Sequence, residues 1–154
     1  MINLSRDLLL LGLVVGTGCA SVQRAIHGAQ NQTDLVRYAV IEDATATWPQ
    51  TTVICLSFGD DEVTDGQIRH LQTTTATVLR RSDCGNWRAA GTAASEHYVA
   101  MDISDVRIEG ESATGTYRLE TRGGGGEAYR VGLARESDGE WRVVKKEGLH
   151  TAAN

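Results

Sequence analysis

Four histidines, three cysteines and one tight run of carboxylates carry most of the side-chain chemistry in this chain. His27, His70, His97 and His150 are spaced so that no two share one helix face or one side of a strand, which a pair of metal ligands would require. Asp60, Asp61, Glu62 and Asp65 offer oxygens, but not in the alternating order with a central glycine and closing glutamate that a calcium loop needs, and they read as a solvated loop. The glycines of residues 123–126 join two strands instead of opening a helix, so the helix terminus that cradles phosphate is missing. Cys55 and Cys84 belong to no Cys-x-x-Cys pair, and zinc would need two further ligands that the spacing does not offer. A cysteine nucleophile partnered by His70 or His97 would need a reduced thiol and an orienting third group. These residues imply no metal, no cofactor and no catalytic constellation.

Residues 8–15 read Leu-Leu-Leu-Leu-Gly-Leu-Val-Val, preceded by Arg6 and followed by Gly16, Thr17 and Gly18 before Cys19. Charge, apolar run and small residues in that order are the pattern of a secretory signal peptide. A membrane-spanning helix needs about 20 apolar residues, and this run reaches Cys19 and then the polar Gln23 and Arg24 well before that. The segment Gly16-Thr17-Gly18-Cys19-Ala20 resembles the bacterial lipoprotein lipobox. The resemblance implies a signal peptide over residues 1–18, acylation of Cys19 as the mature amino terminus, and a domain in the cell envelope facing the periplasm or exterior. Ala20 and Ser21 follow the cysteine where Asp would signal inner-membrane retention, so the implied address is the outer membrane where there is one. The same residues admit standard cleavage after Ala20, with Gly18 and Ala20 as the small residues read, which would release a soluble protein and discard Cys19.

An exported chain with an odd number of cysteines is left with one thiol over. With Cys19 acylated, Cys55 and Cys84 are the only thiols of the folded domain, and an oxidising compartment favours a disulfide between them. The other reading of Cys55, set in Val53-Ile54-Cys55-Leu56, is a small buried hydrophobe.

The 154 residues suit one domain, 41% hydrophobic but only 5% aromatic, so its core must be mainly aliphatic. A net charge of −5, with no cluster of Lys and Arg, argues against a nucleic-acid partner and against electrostatic docking on anionic lipid. Membrane attachment must then be covalent, through the N-terminal acyl anchor.

The elements that would position these residues follow from pattern. Residues 19–32 are polar and read as a tether, and residues 33–150 as a single domain. Thr33 caps a helix running to about Thr47, with Pro49 excluding Trp48 from helical geometry. Residues 51–58 are apolar and β-branched without alternation, as in a strand covered on both faces. Thr64 and Gln67 form a capping-box pattern for a short second helix carrying Ile68 and Leu71, and Thr77, Val78 and Leu79 suit another strand. Residues 85–96, with Trp87 among small residues, are loop-like. Val99, Met101 and Ile103 alternate, slip phase at Ser104 and Asp105, and resume with Val106 and Ile108, the mark of a β-bulge. Alternation follows again at Ala113, Gly115, Tyr117 and Leu119, then at Tyr129, Val131 and Leu133, and finally at Trp141 and Val143.

This is an α+β layout: a four-stranded antiparallel meander whose dry face is covered by about two helices. The ending Tyr129-Arg130-Val131-Gly132-Leu133 through Gly139-Glu140-Trp141-Arg142-Val143-Val144 resembles the last hairpin of nuclear-transport-factor-like and cystatin-like domains. That resemblance implies a curved antiparallel sheet wrapping its helices, with the concavity as the natural place for a ligand. The favoured function is a non-catalytic envelope module that binds a protein partner or a small apolar ligand there, with Trp87, His97 and Tyr117 as candidate binding residues. One alternative is an enzyme using His97, Tyr117 or Asp102 in the same concavity. Another is an inhibitor that presents residues 85–95 to a secreted hydrolase with Trp87 as anchor.

Overall fold

The computed structural model of the chain describes residues 31–49, 51–72, 77–85, 97–121 and 124–149. Residues 1–30, where the leader, Cys19, His27 and most of the tether are expected, together with His150 and the segment holding Trp87, lie outside them. Helix α1 (Gln32–Thr45) starts just ahead of Thr33, and its cap is Asn31, whose side chain accepts from the Asp34 amide at 3.0 Å. Val36, Tyr38, Val40, Ile41 and Ala44 are all buried, and so are Asp34 and Arg37. The buried polar pair survives because partners reach it: Gln67 donates to Asp34 at 2.7 Å, and Arg37 pairs with Asp34 and Asp61. The Arg37 guanidinium also lies 4.4 Å from the centre of the Phe58 ring. Beyond Thr45 the chain leaves the helix through a turn, with the Trp48 amide donating to the Thr45 carbonyl and the Thr52 amide to the Pro49 carbonyl, both at 2.9 Å.

The remaining elements are β1 (Thr52–Ser57), α2 (Asp65–Gln72), β2 (Thr77–Arg80), a 3₁₀ turn (Arg81–Cys84), β3 (His97–Glu109), β4 (Ser112–Thr121), β5 (Gly126–Arg135) and β6 (Trp141–Leu149). Helix α2 starts with the expected reciprocal cap: the Thr64 amide donates to Gln67 Oε1 at 2.8 Å, and the Gln67 amide to Thr64 Oγ1 at 3.3 Å. The strands form one six-stranded sheet in the order β2-β1-β3-β4-β5-β6, so the domain is α+β.

A wholly antiparallel sheet is not what forms. Strand β1 pairs in parallel with both β2 and β3, and the sheet is mixed. The cause lies in the connection: α2 carries the chain back after β1, so that β2 re-enters in the same direction, as parallel neighbours require. Burial of five of the six β1 residues suits this central position. On the face away from α1, Cys55 meets Ala100, Tyr98 and Cys84, and a disulfide joins Cys55 to Cys84 in the 3₁₀ turn.

From β3 onward each strand pairs antiparallel with the next. The expected bulge is present: the register shifts between Ser104 and Arg107, and Asp105 takes a positive φ of 54°. Opposite it sits Gly115, where an added Cβ would lie 3.6 Å from the Val106 side chain. A second register shift at Gly132/Leu133 leaves Val144 outside the pairing and 67% exposed. Ile54, Leu56, Met101, Ile103, Tyr117, Val131, Leu133 and Trp141 share the α1 side and form the core with it. Trp141 Nε1 donates to Gln32 at 3.1 Å and fixes the start of α1 over β6.

Breaking the cross-link should leave the fold but weaken it. Closing a loop whose ends are 29 residues apart stabilises by about 3 to 4 kcal/mol in the chain-entropy model. A Cys55→Ala/Cys84→Ala variant, unfolded in urea and followed by circular dichroism, is expected to lose that amount. An unchanged midpoint would show that the bond contributes nothing.

Candidate functional site

Pairing across the sheet identifies which side chains look towards α1 at the end where that helix stops. Thr52 pairs with His97, Val99 with Thr121, and Leu119 with Glu127, so these residues share the α1 side of β1, β3, β4 and β5. Trp48 and Pro49, in the turn after α1, stand over them. The result is a cleft of about 570 Å³, lined by Trp48, Pro49, Thr52, His97, Val99, Leu119, Thr121, Gly125, Gly126 and Glu127, a volume within the usual range for small-molecule sites. Its rim at the β4–β5 turn is pinned: the Thr121 amide donates to the Gly125 carbonyl at 2.9 Å and the Thr121 hydroxyl to the same oxygen at 3.2 Å. At Gly126 an added Cβ would sit 3.4 Å from the Leu119 carbonyl oxygen, an ordinary van der Waals contact.

Beside the cleft runs a line of polar contacts. The Tyr129 hydroxyl donates to Glu127 Oε2 at 2.6 Å, and the Tyr129 ring stacks on Tyr117 with centres 5.0 Å apart. Lys146 Nζ lies 5.0 Å from the centre of the Tyr129 ring and 5.3 Å from that of Tyr117, and bonds Asp43 of α1 at 3.3 Å. Burial, opposed in part by Lys146, holds the Tyr117 hydroxyl above the ordinary phenol range. Hydrogen bonding to Glu127 is the first cause of the same upward shift at Tyr129, with burial second. For Lys146, burial works against the charge, but the Tyr117 hydroxyl and the Asp43 carboxylate outweigh it and raise the pKa. Tyr38, stacked on His70 at 4.3 Å, is raised by burial first and then by Asp34.

Of the residues singled out from sequence, His97 lines the cleft and Trp87 lies outside the described residues. Tyr117 is on the correct face but is 1% exposed and pairs with Ile103, about 20 Å along β3 from His97 at the usual strand rise. Asp102 is on the opposite face, where its Oδ1 accepts from Ser57 Oγ at 2.7 Å and from the Gly59 amide at 3.0 Å. The structure therefore does not bring His97, Tyr117 and Asp102 together. Within the acidic run, Asp61 pairs with Arg37 and Asp65 with Arg80. Among the described residues no group of three His, Cys, Asp or Glu side chains could hold a metal ion.

Trp48, Leu119, Glu127 and Lys146 were not singled out by sequence as site residues. Pro49 was a signal for Trp48, because the residue before a proline that ends a helix is pushed to the end of the helical layer. Lys146 had none, since it stands beyond the second bulge in the polar stretch Lys145-Lys146-Glu147. On the other face of the sheet, a smaller groove of about 400 Å³ is lined by Asp105, Arg107, Thr114, Gly115, Thr116 and Arg130. Compared with known proteins, the chain matches no family, no curated protein and no solved structure.

Tyr38, Tyr117, Tyr129 and Lys146 all hold their protons more tightly in the fold than the ordinary values of 10.0 for tyrosine and 10.5 for lysine. Their contribution to stability is fully present below those values and is lost as pH rises through the raised ones. The urea midpoint is expected to fall from about pH 10 upward, with phenolate absorbance in the near ultraviolet appearing together with unfolding. Phenolate formation in a still-folded chain would contradict it.

Proposed function

We propose that this chain is an exported, lipid-anchored binding module of the cell envelope, acylated at Cys19, that holds a small ligand with an apolar body in the cleft between the end of α1 and the sheet. One observation carries the binding half: the cleft joins an indole, a proline and two aliphatic side chains to a few polar groups, Thr52, His97, Thr121 and Glu127, that fix orientation. The disulfide between Cys55 and Cys84 supports export, because such bonds persist in oxidising compartments, and it leaves Cys19 as the odd cysteine. Among the described residues no helix is long and apolar enough to cross a membrane. In this reading the leader is removed and the acyl chain provides the attachment.

The proposed architecture is a curved sheet, with β3 to β6 as a meander wrapping α1, in the manner of nuclear-transport-factor-like and cystatin-like domains. The two register shifts support curvature, since bulges bend and twist the strands that carry them. An enzymatic reading draws on one feature, that His97 and Glu127 line the same cleft. Binding is preferred because the sheet tyrosine and aspartate nominated for catalysis lie elsewhere.

Two measurements test the proposal. Intact mass spectrometry of the protein from its own membrane is expected to show a chain beginning at an acylated Cys19, heavier by about two hydrogens after reduction; a chain beginning at Ser21 or retaining the leader would overturn the anchor. For the cleft, 1-octanol is the neutral apolar probe in calorimetric titration of the full chain. Binding is expected, and Leu119→Trp, which fills the floor, should abolish it while leaving the thermal midpoint within a few degrees.

A further inference from the structure

Among the described residues the charge around the cleft is unbalanced, and this restricts what the cleft can hold. Facing it or standing beside it are Asp43 from α1, His97 from β3, Glu127 from β5 and Lys146 from β6, while β1 and β4 contribute only Thr52, Val99's neighbour Thr121, and Leu119. Lys146 is already committed to Asp43 and to the tyrosine pair. Glu127 lines the cleft itself, and among the described residues its carboxylate meets the Tyr129 hydroxyl and no cation. Glu96 and Arg122, of opposite charge, flank the rim in sequence and lie outside the described residues. No Lys or Arg is among the lining residues.

A carboxylate held in place by a tyrosine hydroxyl, with no cation paired to it among the described residues and an indole lining the same cleft, has the makings of a site for positive charge. The carboxylate supplies the ion-pair partner, the Trp48 ring supplies a quadrupole face that attracts cations, and Val99 and Leu119 receive an apolar body. An anionic ligand would meet Glu127 with no compensating charge and would have to displace its own hydration to enter. From this we infer that the cleft selects organic cations: amines, primary to quaternary, carrying an apolar group. The inference rests on the cleft-binding proposal above and adds the charge class of the ligand, with Glu127 as the group that discriminates and Trp48 as its apolar counterpart.

Three probes of equal chain length separate the two levels: octylamine, 1-octanol and octanoate, each titrated calorimetrically into the full chain at neutral pH and low salt. Octylamine should bind about tenfold more tightly than 1-octanol, the size expected of one partly exposed ion pair together with one cation–π contact, and octanoate most weakly. Glu127→Gln keeps an acceptor for the Tyr129 hydroxyl and removes the charge; it should bring the amine to within about twofold of the alcohol and leave the alcohol unchanged. Equal binding of the three probes, or tightest binding by octanoate, would overturn the charge selectivity while leaving the cleft as a binding site. Failure of all three to bind would overturn the cleft itself. An amine preference that survives in Glu127→Gln would remove Glu127 from the role.

Discussion

The sheet extends further than the helix that lies on it. Helix α1 ends at Thr45, four residues before Pro49, and the turn that follows carries Trp48 over the sheet without resuming the helix. Rows of the same sheet face that lie under α1 are closed by Val36, Val40 and Ile41, all fully buried. The next rows, Val99 with Thr121 and Leu119 with Glu127, have, among the described residues, only the turn above them. A cleft remains because an apolar surface is left partly uncovered, and its polar residues are those that the alternation of strands places at that end.

What holds the helix in that position is partly apolar and partly polar. Gln32 is tied to Trp141 at one end and Asp43 to Lys146 near the other, so α1 runs along β6 with both ends pinned to it. Asp34 and Arg37, buried on the remaining side, are partnered by Gln67 and Asp61 from the segment after β1, though Arg37 Nε is buried with no hydrogen-bond partner among the described residues. Removing one member of such a network would leave a buried charge without a partner, a larger penalty than the loss of one surface ion pair. These contacts orient α1 as well as bury it, and the cleft inherits that orientation.

The opposite face of the sheet is organised differently. Around β1 the disulfide and the 3₁₀ turn cover Cys55 and Ala100. Further along the face becomes a mixed charged surface with Arg107, Arg118, Arg130 and Lys145 among Asp102, Asp105, Glu120 and Glu147. Opposite charges interspersed in this way give no single-sign field.

Local chemistry was legible in the sequence wherever it acts over a few residues. The capping box at Thr64 and Gln67, the phase slip at Ser104 and Asp105, the alternation of the later strands and the double-sided burial of β1 are properties of short segments, and the structure has all of them. So was the pairing of Cys55 with Cys84, which followed from the expectation that Cys19 is acylated and the chain exported. The parallel pairing of β1 with both neighbours was not, because strand direction depends on where α2 returns the chain. The site depended on the same kind of information. His97 is a cleft residue and Tyr117 a core one, though both alternate onto the same face, because only the length and placement of α1 decide which part of that face is covered. Residue types and periodicity determine which side of an element is apolar; which apolar surface is left open is settled by how the finished elements overlap.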